Sequence, residues 1–145
     1  MSTVKISLRR TNKRARIPRA MHDDDACFDL FSVENIVIGP GETRLIDTGI
    51  QVAIPRGWEG QVRPRSGLAT KGITVANSPG TIDAGYRGNI KIIIHNNTTD
   101  VYHHVRPGDR IAQLAIRRVP TVVFEEVEEL PDSKRGDGGF GSTGA

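Results

Sequence analysis

Apolar residues in this chain fall in short runs, many with polar residues at every second position, and the runs are separated by clusters of turn formers. VKISL (4–8), NIVI (35–38), TRLIDTGIQVAI (43–54), EGQVRP (59–64), NIKIIIH (89–95), VYHHV (101–105), RIAQLAI (110–116) and TVVFEEV (121–127) read as β-type segments. GPGE, PRGW, NNTTD and RPGD stand between them as turns. Eight prolines and sixteen glycines break up any longer helical period, so the one helix predicted is a short one around Ser66 to Thr70. Many short strands with regular turn signals predict an all-β sandwich or barrel. No repeat of fixed period is present. From about Leu130 the chain has almost nothing to bury. The expected organisation is therefore one domain over residues 1–130 and a flexible, Gly-rich arm over 131–145.

Composition narrows this picture without changing it. A chain of 145 residues with 37% hydrophobic and 26% charged residues suits one soluble domain with a real core. No apolar run approaches the roughly 20 residues of a membrane helix, so no membrane partner is expected. MSTVKISLRR lacks the apolar stretch of a signal peptide. Cys27 is the single cysteine, which rules out an intramolecular disulfide and fits a reducing compartment. A cytoplasmic location is expected, with Cys27 a small buried hydrophobe rather than a nucleophile.

The net charge of +3 is unevenly spread: Lys5, Arg9, Arg10, Lys13, Arg14, Arg16 and Arg19 fill the first twenty residues with no acid among them. A nucleic-acid arm is one reading and a solvated strand and loop the other. The second is preferred, because no aromatic is interleaved for base stacking. His22, His95, His103 and His104 lack zinc-site spacing, and two adjacent strand residues such as His103 and His104 point to opposite faces.

SPGTIDAGYRG (78–88) carries more chemistry than a turn requires. Asp83 is the only acid between Val75 and His95, and either activates a water or caps its own turn. Tyr86 offers a flat ring that either faces a ligand or covers the core edge. In PRSGLATKG (64–72), Ser66 and Gly67 begin a helical turn whose N–H groups suit an anion, and Arg65 adds a bidentate fork. Gln113 lies on an otherwise apolar strand. Asp29, between Phe28 and Leu30, needs a partner, either an arginine near the site or water on a metal. Asp109 and Arg110 are expected in structural turn interactions.

ACFDLFS (26–32), PRSGLATKG (64–72), ANSPGTIDAGYRG (76–88), GDRIAQL (108–114) and RGDGGFGSTG (135–144) resemble, in order and spacing, the five motifs of the homotrimeric dUTPase family. One departure is Ala26-Cys27 where that family usually has Ala-Gly. The resemblance implies a jelly-roll or distorted β-barrel subunit of the β-clip kind and a homotrimer with active sites shared between subunits. It implies Mg²⁺-dependent hydrolysis of dUTP to dUMP and pyrophosphate, which limits uracil in DNA and supplies dUMP for dTMP synthesis.

Resemblance also assigns roles. Asp83 becomes the general base that directs water at the α-phosphorus, and Tyr86 the ring that rejects a 2′-hydroxyl. Asn77, Gly80, Thr81 and Ile82 belong to the base and sugar pocket, Lys91 is a further substrate-binding residue, and Arg65, Ser66, Gly67 and Gln113 bind phosphate. Asp29 supports the site. Phe140 of the arm stacks on the base, and Arg135, Gly141, Ser142 and Thr143 hold the γ-phosphate from a neighbouring subunit. Mg²⁺ is expected to ride on the triphosphate with water, with no direct protein ligand. The related dCTP deaminases need a further carboxylate beside the base, and none is found near Asp83. A non-catalytic nucleotide-binding module is the other alternative, and no nucleic-acid partner is expected.

Overall fold

A computed structural model describes residues 3–144. Eleven strands and one short helix are found among them. In order these are β1 Ser7–Arg10, β2 Phe28–Phe31, β3 Ile36–Ile38, β4 Thr43–Asp47, β5 Ile50–Ala53, β6 Trp58–Arg63, α1 Ser66–Ala69, β7 Ile73–Val75, β8 Gly80–Ile82, β9 Lys91–Asn96, β10 His103–Val105 and β11 Arg110–Arg118. A four-stranded sheet runs β2-β11-β6-β8, a three-stranded sheet β4-β9-β7, and β1-β5 and β10-β3 form two-stranded ribbons. Every pairing is antiparallel.

The alternation in the sequence becomes the division between inside and outside. Along β9, Ile92 and Ile94 are buried while Lys91 and Ile93 face outward or lie half-buried. They join Leu30, Ile38, Ile46 and Ile50 in one core rich in β-branched side chains, which fit a pleated surface. Three polar side chains go fully inside because they have partners: Ser32 Oγ donates to the Glu34 carbonyl at 2.9 Å, Thr48 Oγ1 donates to the Ile90 carbonyl at 2.6 Å, and Asn96 Nδ2 donates to the carbonyls of Ile38 and Val101 at 2.9 and 2.7 Å.

Three expectations need correction. TRLIDTGIQVAI is two strands in different sheets, because the chain turns a corner at Gly49, where φ is +68° and a Cβ would press on Asn12, Val33 and Ala15. TVVFEEV pairs with nothing among the described residues: it runs past the end of β11 with no sheet edge beside it, and Val123 and Phe124 are 85% and 95% exposed. β2, β7 and β8 lie outside the predicted segments, being only three or four residues long and embedded in turn-rich sequence. The short helix appears where it was expected.

Candidate active site

Two clefts collect the chemistry-bearing residues. The first forms around β8, which pairs with β6 in the register Gly60↔Ile82, Gln61↔Thr81 and Val62↔Gly80. Asn77, Gly80, Thr81, Ile82, Asp83, Tyr86 and Lys91 all line it. Ile82 and Ile90, buried in the core, pin the two ends of the intervening loop. Between them the loop ties itself: the Tyr86 N–H donates to the Asp83 carbonyl at 3.0 Å, and Arg87 Nη1 donates to the carbonyls of Ala84 and Tyr86 at 2.6 and 3.0 Å. The Tyr86 hydroxyl donates to the Asn89 carbonyl at 2.8 Å. A Cβ on Gly88 would stand 2.5 Å from that hydroxyl, so only glycine fits beneath the ring.

Asp83 follows the last residue of β8 and is exposed. Its carboxylate makes no hydrogen bond or ion pair among the described residues, so the turn is held by backbone and by its neighbours' side chains instead.

The second cleft lies toward the other edge of the four-stranded sheet. Arg65, Ser66 and Gly67 line it at the start of α1, Gln113 from β11 and Asp29 from β2, together with Arg19, Met21, Asp25, Ala26, Cys27 and Arg110. Asp29 has the partner its position demands, and in fact two: Oδ1 is 3.4 Å from Arg65 Nε and Oδ2 is 3.6 Å from Arg110 Nη1. Its side chain is only 14% exposed, which strengthens both contacts relative to open surface pairs. Gln113 sits opposite Asp29 on one side and Arg63 on the other, and its Nε2 donates to the Pro64 carbonyl at 3.0 Å. No side chain caps α1 and no acid lies in its first turn, so the N–H groups there are open to an anion.

The arm residues line neither cleft. Arg135 Nε donates to the Gly138 carbonyl at 2.7 Å, a purely local contact, and Phe140 is fully exposed with φ at +53°. After the Val119 N–H, which donates to the Gly57 carbonyl at 2.8 Å, no hydrogen bond among the described residues joins the chain to the barrel.

A family model for dUTPase matches residues 13–144. The chain belongs to the dUTPase family. As a dUTPase it is a hydrolase, with the jelly-roll, β-clip fold of that family. The deoxyuridine 5′-triphosphate nucleotidohydrolase of Clostridium kluyveri is 50% identical over 142 residues, covering 97% of this chain and 99% of the relative. That of Thermobifida fusca is 49% identical over 143 residues, covering 98% and 80%. Among solved structures, the dUTPase of Staphylococcus bacteriophage 80alpha with dUPNHPP superposes with a TM-score of 0.90 at 33% identity, covering 99% of this chain and all of that one. A mutant dUTPase from phage phi11 of S. aureus, described with a structural Mg(II) ion, gives 0.80 at 32% identity, covering 86% and 97%.

Two side chains in this dUTPase differ from their sequence expectations. Asp109 is a turn residue, accepting from the Arg106 N–H at 2.8 Å, but Arg110 is not: a register shift between Arg110 and Ala112 re-aims its side chain onto Asp29. Cys27 is half-buried on the wall of the second cleft rather than in the core. Asn89 lines the first cleft as well, but its contact to Tyr86 runs through its backbone carbonyl and its side-chain partners, Thr11 and Asp47, are remote in sequence. The only available signal was its place directly after the Tyr-Arg-Gly run.

A metal is implied by the family, and the donor set can be tested for it. No group of three or more His, Cys, Asp or Glu side chains converges among the described residues, and Asp29 is engaged by two guanidiniums. Positive and N–H donors dominate the second cleft. Such a set suits a cation that arrives on a ligand's own phosphates.

Proposed function

We propose that this dUTPase cleaves dUTP with Asp83 as the general base. A water proton passes to the Asp83 carboxylate as the water oxygen bonds to the α-phosphorus, the bond from that phosphorus to the β-phosphate bridging oxygen breaks, and pyrophosphate leaves with dUMP remaining. The observation that carries this reading is the free Asp83 carboxylate at a cleft shared with Tyr86 and Asn77, while the other candidate acid, Asp29, is tied to two arginines.

Tyr86 presents its ring to the sugar and leaves no room for a 2′-hydroxyl, with Lys91 on the same wall. Asn77, Gly80, Thr81 and Ile82 read the base: uracil offers an N–H between two carbonyls, and the wrong base leaves the pocket's polar groups unpaired. Arg65, Ser66, Gly67 and Gln113 bind the phosphates, and Asp29 orients Arg65 for that task. Mg²⁺, held through the substrate's phosphates and water rather than by a protein side chain, would supply neutralisation of the phosphate charge. Residues 131–145 act as an arm on the 1–130 domain: Phe140 stacks on the base while Arg135, Gly141, Ser142 and Thr143 hold the γ-phosphate.

The enzyme works as a homotrimer with sites shared between subunits. In support, the two clefts share no lining residue, and the first, at about 200 Å³, is smaller than the roughly 300–1,000 Å³ of ordinary small-molecule pockets. A site assembled from two copies unites them, and gives the unpaired 119–130 segment a surface to cover. A light-scattering mass three times the 15.8 kDa of one chain is expected. No helix among the described residues is long and apolar enough to cross a membrane, in keeping with a cytoplasmic enzyme.

The test is Asp83→Asn assayed for pyrophosphate release from dUTP with Mg²⁺. Turnover is expected to fall about 10²- to 10⁴-fold. A wild-type rate would remove Asp83 from the role.

A further inference from the structure

We propose that Asn89 is a positioning residue for sugar selection, acting through Tyr86. The inference rests on the reading of Tyr86 as the face that excludes a 2′-hydroxyl.

A steric filter works only if it does not yield. The Tyr86 side chain is 45% exposed, and an exposed ring is ordinarily free to change rotamer. Here it is held at its far end. Its hydroxyl donates to the Asn89 carbonyl at 2.8 Å, and the bare Gly88 backbone lets the ring settle against the loop.

That carbonyl is itself held. Asn89 Nδ2 donates to both carboxylate oxygens of Asp47 at 3.1 Å and to Thr11 Oγ1 at 3.0 Å. Asp47 in turn accepts from the Gly49 N–H at 2.8 Å, its own N–H donates to Glu34 Oε2 at 2.9 Å, and Thr11 Oγ1 donates to the Gly49 carbonyl at 3.1 Å. The side chain of Asn89 thus clamps its own backbone to the corner between β4 and β5 and to the segment after β1. Through that clamp the acceptor for the Tyr86 hydroxyl becomes part of the rigid barrel. A hydrogen bond to a loop carbonyl free to drift would leave the ring free to drift with it.

The test uses the full-length protein with Mg²⁺, measuring kcat/KM for dUTP and for UTP in Tyr86→Ala, Tyr86→Phe and Asn89→Ala, with circular dichroism to establish folding. Tyr86→Phe and Asn89→Ala are each expected to lower the dUTP-over-UTP ratio about fivefold, the factor that accompanies one net hydrogen bond. The loss should come from better use of UTP, with KM for dUTP nearly unchanged. Tyr86→Ala should lower the ratio much further. A merely structural role for Asn89 would slow both substrates alike and leave the ratio where it was.

If Tyr86→Ala keeps the wild-type ratio, the reading of Tyr86 fails and the inference with it. If Tyr86→Ala loses selectivity while folded Asn89→Ala retains it, Asn89 alone is removed from the role. Should Asn89→Ala not fold, Tyr86→Phe decides, because it deletes one oxygen atom and nothing else: an unchanged ratio overturns the proposal.

Discussion

The loop from Asp83 to Ile90 and the arm from Pro131 to Gly144 are built from similar material, glycines with an arginine and one aromatic, yet they end in opposite conditions. In the loop, Ile82 and Ile90 are buried at either end and Tyr86, Arg87 and Asn89 close hydrogen bonds between them. In the arm no residue is buried, Arg135 bonds only to Gly138, and Phe140 stands wholly in solvent. Glycine content therefore does not decide whether a segment packs onto the barrel. What decides is whether apolar anchors flank it, since the conformational entropy of about 1–2 kcal/mol per ordered residue must be offset by burial. The arm has a single large apolar side chain, Phe140, among its glycines, and nothing on the barrel covers it among the described residues.

This contrast can be broken most forcefully at an anchor. Ile90→Ala should cost about 2–5 kcal/mol of stability in a denaturant titration, the usual range for emptying a core isoleucine site, because Ile90 is only 2% exposed. An effect below about 1 kcal/mol would show that the loop does not depend on its buried end.

Removing the arm is the converse experiment. Truncation after Lys134 should leave stability within about 0.5 kcal/mol of the full chain while most turnover is lost. Phe140→Ala alone should lower kcat/KM for dUTP about five- to 150-fold, matching roughly 1–3 kcal/mol of base stacking. Unchanged kcat and KM in the truncated protein would leave the arm with no part in the reaction.

The smallest effect comes from His103 on β10, which lines neither of the two clefts. Burial lowers its pKa from the ordinary value of 6.5, assisted by the positive charges of Lys71 and His104 and opposed by Asp109. Above that value both folded and unfolded chains carry it neutral, and the folded state is at full advantage. As pH falls below it the unfolded chain takes up a proton that the folded chain refuses, so stability is lost until the lower folded value is reached. Thermal melts between pH 7 and 5 should show a small decline that His103→Gln reduces. An identical decline in the variant would assign it to other groups.

Much of the fold was legible because a period of two in apolar residues has one physical outcome, a strand with one face in the core. NIKIIIH, EGQVRP and RIAQLAI became β9, β6 and β11 for that reason. TVVFEEV has the same local character and no partner among the described residues, since pairing depends on an available edge and not on the segment itself. The residues that line the two clefts were legible where one stood out against its surroundings, as Asp83 and Tyr86 do in a turn and Asp29 does between apolar neighbours. Arg110 and Asn89 were not, because a bulge in β11 re-aims one and the other meets Tyr86 through its backbone carbonyl.

The sequence by itself determined the residue types, the alternating faces and the turns, all of which depend on neighbours within a few positions along the chain. Only the tertiary structure decided that Asp29 would face two arginines from different strands and loops. It also decided that Thr11, Asp47 and Asn89 would meet behind Tyr86, and that the Asp83 carboxylate would have no partner among the described residues. Those outcomes depend on the register of antiparallel pairing, where a one-residue slip sends every side chain to the other face, and on contacts between segments tens of residues apart.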